Sequence, residues 1–144
     1  MSIIVEFFIA PDDHAAASVV DEGPDGVFPT MTCGNFLADI AVTDWESILL
    51  GTDADGASSG GPRVVAMPDL DSILQVFALS PQLQTALADI DRDAVDTVAH
   101  QWIAEYGQKY LGFEPDKASE ILWELTAMAR SANTQKQSLY CWIG

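Results

Sequence analysis

Two segments constrain this chain more than any other: residues 2–10, Ser-Ile-Ile-Val-Glu-Phe-Phe-Ile-Ala, and residues 138–143, Ser-Leu-Tyr-Cys-Trp-Ile. Side chains alternate between faces along an extended strand. In the first segment Ile3, Val5, Phe7 and Ile9 therefore share one face. Ser2, Ile4, Glu6, Phe8 and Ala10 share the other, with a single charge among them. In the second segment Leu139, Cys141 and Ile143 face one way and Tyr140 and Trp142 the other. A strand that is apolar on both faces needs cover on both, which places it inside a sheet rather than at its rim. The two segments are expected to lie side by side at the centre of one sheet. Whatever lies between them must supply the outer strands and the covering layers.

Pro11 ends the first strand, and Asp12 or Asp13 is placed to cap a short helix running through His14, Ala15–Ala17, Val19 and Val20. The run Asp-Glu-Gly-Pro-Asp-Gly at 21–26 is a turn cluster. Val27–Cys33 reads as a strand, with Pro29 making an edge position or an irregular loop equally acceptable. Thr43 and Glu46 have the spacing of a capping box, which predicts a helix starting there and stopping at Gly51. Residues 52–62 contain no large apolar side chain and read as a loop, either a surface insertion or a segment over a site. Arg63–Met67 and Ser72–Leu79 read as strands. Ser80-Pro81 is a helix start, with Ser80 as cap and Pro81 in the first turn. Asp91 or Asp93 caps the next helix, whose stripe is Val95, Val98, Ala99, Trp102, Ile103 and Tyr106. Pro115 opens the longest helix, striped by Ala118, Ile121, Leu122, Leu125, Met128, Ala129 and Ala132, with Trp123 beside the stripe and half exposed. The order of elements predicts an α+β fold over residues 1–144: a single compact domain with one mixed sheet, its N- and C-terminal strands central and helices packed on it.

Charge separates what the chain can bind from what it cannot. There are 22 acidic and 6 basic residues, a net charge of −16, and no Lys or Arg precedes Arg63 although 11 acidic residues do. Such a chain repels nucleic acid and anionic membrane surfaces, so neither is an expected partner. No stretch approaches the length of a membrane span. Glu6 interrupts the first apolar run and no basic residue precedes it, so a secretory signal is not expected and the cytoplasm is the expected location. Cys33 and Cys141 are too few for a disulfide scaffold. The sequence leaves the oligomeric state open.

The Met-Ser-Ile-Ile-Val opening strand, Trp45 leading into Leu49-Leu50-Gly51, a strand running into Leu79-Ser80-Pro81-Gln82, and the closing strand Leu139–Gly144 together resemble the YfbM-like family of small bacterial proteins. The landmarks occur in order over most of the chain, and segment 52–62 is shorter than the corresponding loop of that family. The resemblance implies a compact α+β fold and brings no established activity, so it assigns no catalytic residue.

Read directly, the candidate chemistry is sparse. Asp89, Asp91, Asp93 and Asp96 have the alternation of a calcium loop, but Ala94 and His100 stand where its glycine and glutamate belong. His14, His100, Cys33 and Cys141 are scattered, with no paired spacing to seed a zinc site. No nucleotide-binding or nucleophile-elbow motif is present. No metal or cofactor is therefore expected. The leading expectation is a protein-binding module for a basic partner, inhibitor or immunity-like and in the extreme a nucleic-acid mimic, docking through loop acids Asp21, Glu22, Asp25, Asp53 and Asp55. The alternative is an enzyme using Asp or Glu residues, His100 or Cys33 in a cleft beside the 52–62 loop. An acidic surface that serves only solubility accounts for the charge without a partner.

Overall fold

The computed structural model describes residues 4–34, 38–50, 63–69, 73–106 and 115–144. The strand β1 (Val5–Ala10) and the strand β5 (Ser138–Ile143) pair antiparallel along their whole length, Val5 opposite Ile143 and Ala10 opposite Ser138. Ile4 and Gly144 prolong the ladder by exchanging hydrogen bonds of 2.7 and 3.0 Å. β2 (Thr30–Gly34) lies outside β1; β4 (Gln75–Ala78) and then β3 (Arg63–Ala66) lie outside β5, giving the order β2-β1-β5-β4-β3. The expected α+β domain with both terminal strands central is therefore present. Every ladder among the described residues is antiparallel where a mixed sheet was expected. Alternating hydrophobicity is the same for either strand direction and so does not choose between them.

Alternation along β1, β5 and β4 builds two separate cores. Val5, Phe7, Ile9, Phe77, Leu79, Leu139, Cys141 and Ile143 face a layer of four helices. These are α2 (Ala38–Leu50), α3 (Pro81–Asp89), α4 (Arg92–Tyr106) and α5 (Pro115–Thr134). The ring of Phe7 lies 6.1 Å from Trp45 on α2, and Trp45 meets Trp102 on α4 edge-on at 5.1 Å. On the other face Phe8, Ala10, Val76, Ala78, Tyr140 and Trp142 are covered by α1 (Asp13–Ala17) and the turn that follows it, through Ala16, Val19, Val20 and Phe28.

Local signals explain most boundaries. Asp12 accepts from Ala15 N at 2.8 Å and caps α1, which stops at Ala17 rather than running to Val20. Ser80 accepts from Leu83 N at 3.1 Å with Pro81 in the first turn of α3, and Asp91 accepts from Ala94 N at 2.8 Å at the start of α4. Helix α5 ends with Lys136 at φ 57° and Gln137 N donating to Ala132 O at 2.8 Å, the left-handed reversal that delivers the chain into β5. The capping box is the correction. Helix α2 already begins at Ala38, so Thr43 and Glu46 lie inside it. The apolar stripe extends upstream through Ala38, Ala41 and Val42, and burying it outweighs a local start signal. Glu46 instead accepts from the Ser80 hydroxyl at 2.8 Å, tying α2 to the cap of α3.

Candidate functional site

Helices α4 and α5 pack against each other along Val95, Val98, Ala99 and Trp102 on one and Ala118, Ile121, Leu122 and Leu125 on the other, all buried. Residues four apart stack on one side of a helix. Just outside the packed seam α4 therefore presents the row Arg92, Asp96, His100, and α5 the rows Asp116, Glu120, Glu124 and Ser119, Trp123. These side chains line an open groove of about 420 Å³. Four of its eight lining residues are carboxylates. The α5 row is acidic at three successive i, i+4 positions: Asp116 sits in the first turn, where the helix dipole favours a carboxylate, while Glu120 and Glu124 repel each other by roughly 0.2–0.5 kcal/mol.

Trp123 forms the aromatic wall and is half-buried, as its place beside the α5 stripe predicts. The Arg92 guanidinium lies 4.9 Å from its ring centroid and that of Arg130 lies 5.7 Å away. Arg130 is fastened by donating to the carbonyl of Ala88 at 2.9 Å, in the last turn of α3, and to that of Ile90 just past it. His100 Nδ1 donates to the carbonyl of Asp96 at 2.8 Å, a bond that fixes the ring against its own helix. The groove is thus a concave, largely anionic surface with a π-face at one wall. It suits a cationic side chain.

The acids singled out from the sequence lie elsewhere. Asp21, Glu22 and Asp25 are exposed on the turn after α1, on the side of the sheet opposite the helices. That turn is held by Trp142 Nε1, which donates to Val20 O at 2.8 Å, and by Gly23, at φ 90° with the Trp142 ring 3.3 Å from where a Cβ would stand. Asp53, Asp55 and the rest of segment 52–62 lie outside the described residues. Beside α1, Asp13 accepts from the Tyr140 hydroxyl at 2.9 Å and pairs with the Arg63 guanidinium, joining α1 to β5 and β3. The Arg63 bond, then the Tyr140 bond, hold the Asp13 carboxyl below its ordinary 3.8. Burial first, then the bond to Asp13, push Tyr140 up to about 12.

An enzyme built on Cys33 or His100 is the alternative that the sequence leaves open. Cys33 is buried on β2 and does not line the groove that His100 lines. Burial, with Glu124 adding to it, pushes its thiol up to about 12, so it stays protonated at neutral pH and is a poor nucleophile. Cys141 is buried in β5 and His14 is exposed on α1. Gln84, buried on α3, uses its amide structurally: it accepts from Leu139 N at 2.9 Å and donates to Asn133 Oδ1 and Gln137 O. The sequence shows Asp96 and His100 as an exposed i, i+4 pair and Trp123 beside the α5 stripe, but not the groove they share. The i, i+4 acidic row on α5 was the available signal, but only the docking of α4 sets it opposite a second row.

Among the described residues no helix is long and apolar enough to cross a membrane. Comparisons of the chain with protein-family models, curated proteins and solved structures found no match.

Proposed function

We propose that the protein is a binding module for a basic protein partner, inhibitor or immunity-like in action and extending to mimicry of nucleic acid, and that it docks through the α4–α5 groove. One observation carries this reading: the Asp116, Glu120, Glu124 row stands across a concave groove from Asp96 and beside Trp123. Like charges stacked on one helix oppose folding, and a cationic partner offsets that repulsion on binding. Four carboxylates gathered in a groove also focus the field that a net charge of −16 generates, which speeds encounter with a basic surface. The turn carrying Asp21, Glu22 and Asp25 is the competing docking face. Its three acids are exposed on a turn rather than set in two rows across a groove. An enzyme built on Cys33 gains no support from a thiol that stays protonated. We likewise propose kinship with the YfbM-like family on the four sequence landmarks, a relationship that carries no activity with it.

The test is affinity capture from the source cell at low and high salt, with the wild-type chain and with Asp96→Asn, Glu120→Gln, Glu124→Gln combined. The reading predicts a basic protein retained at low salt, released at high salt, and absent from the neutralised variant. Recovery of nothing salt-sensitive would leave the acidic surface as a solubility feature.

A further inference from the structure

We infer that Arg92 occupies, in the unbound protein, the seat on Trp123 that an arginine of the partner takes on binding, so that Arg92 masks a preference of the groove for guanidinium over ammonium groups. This rests on the binding-module reading and names the side chain that the module recognises. Among the described residues lining the groove, Arg92 alone carries a fixed positive charge, and it lies over the Trp123 ring at 4.9 Å, inside the roughly 6 Å reach of a cation–π contact. The groove thus already holds one guanidinium, supplied from its own wall. Arg92 is exposed at the first turn of α4, whereas Arg130, the other guanidinium near the ring, is fastened to the end of α3. Of the two, Arg92 is the one an incoming group can displace without undoing a helix end. A planar guanidinium stacks on an indole face, and a compact, strongly hydrated ammonium gains less there. Displacement also has a consequence for affinity. A binding-competent state that is only partly populated weakens apparent affinity by that fraction, so Arg92 holds the groove below its full affinity until a partner arginine replaces it.

The experiment uses the full chain and two fluorescein-labelled peptides of equal length and charge, one with arginine and one with lysine at every second position between glycines. Binding is followed by anisotropy at low salt for wild type, Arg92→Gln, and Arg92→Gln combined with Trp123→Leu. With Arg92 in its seat, wild type is expected to bind both peptides within about twofold of each other. Arg92→Gln removes a positive charge and tightens both. It also frees the seat that Arg92 held, while Arg130 stays at 5.7 Å, so the preference for the arginine peptide is expected to rise to about fivefold, the scale of one partly exposed cation–π contact. Adding Trp123→Leu is expected to return the preference to near one. Equal tightening toward both peptides by Arg92→Gln would overturn the inference, because Arg92 would then act as a charge and nothing more. A preference that survives loss of Trp123 would overturn it as well. Failure of every variant to bind either peptide in a salt-sensitive way would overturn the binding-module reading together with this one.

Discussion

On one face of the sheet Val5, Phe7, Ile9, Leu139 and Cys141 meet four helices; on the other, Phe8, Tyr140 and Trp142 meet a helix of five residues and a turn. Both sets of side chains are buried, yet the means differ. The helical face is closed by bulk, with Trp45, Trp102, Leu122 and Leu125 packed over it. The second face is closed by particular fastenings: Trp142 Nε1 to Val20 O, Tyr140 Oη to Asp13, and Gly23, whose left-handed backbone packs closely on the Trp142 ring. Burial over a broad area tolerates single losses of a polar contact, whereas a thin cover depends on each one. The same asymmetry separates the two acidic regions. The helical layer forms a groove between α4 and α5 in which carboxylates gather, while the acids of the turn are exposed.

The comparison breaks first at Phe7. Replacing this fully buried ring with Ala opens a cavity under Trp45 and is expected to cost about 3–5 kcal/mol in denaturant unfolding. A loss under about 1 kcal/mol would mean that the helical layer is not the main core. Next is Gly23. An alanine there must hold a left-handed backbone and meet the Trp142 ring, so Gly23→Ala is expected to cost about 1–3 kcal/mol. Hydrogen exchange should then rise first in residues 18–28 and leave α5 protected. Retained protection of the turn would show that the second face does not depend on single fastenings.

The smallest effect is expected from Asp13→Asn. Asp13 and Arg63 are both exposed, and a pair of this kind contributes less than about 1 kcal/mol. Because the carboxyl of Asp13 is held below its ordinary 3.8, its contribution is present above about pH 4 and is lost as pH falls through the lowered value. Wild type and Asp13→Asn should therefore differ at pH 7 and converge in acid. At the alkaline end the unfolded chain loses the Tyr140 proton near pH 10 and the folded chain only near about 12, so stability should fall across that interval. Tyr140→Phe should remove that part of the fall.

How legible these regions were in the sequence follows the same physical division. The two-faced pattern of Ser2–Ala10 and Ser138–Ile143 announced the central pair, because hydrophobic alternation is a property of each strand by itself. Ser80-Pro81 marked one helix start, and Asp12 or Asp13 and Asp91 or Asp93 placed two more, of which Asp12 and Asp91 make the caps, because capping is decided within three residues. Thr43 and Glu46 misled because the same residue types also make contacts between elements, here from Glu46 to Ser80. The groove was illegible for a related reason. Asp96 and Glu120 belong to different helices, and their convergence depends on how those helices pack.

The central claim is that the α4–α5 groove, and not the turn after α1, receives the basic partner. Its most direct measurement is the affinity of the labelled arginine peptide, over a range of salt, for two charge-reversed chains. One carries Asp96→Lys, Glu120→Lys and Glu124→Lys; the other carries Asp21→Lys, Glu22→Lys and Asp25→Lys. Each changes the net charge equally, so long-range attraction falls by the same amount and only location differs. The account predicts that reversal in the groove weakens binding by about 100-fold or more and flattens its salt dependence, while reversal in the turn weakens it by less than about tenfold. Equal losses, or the larger loss from the turn, would contradict it.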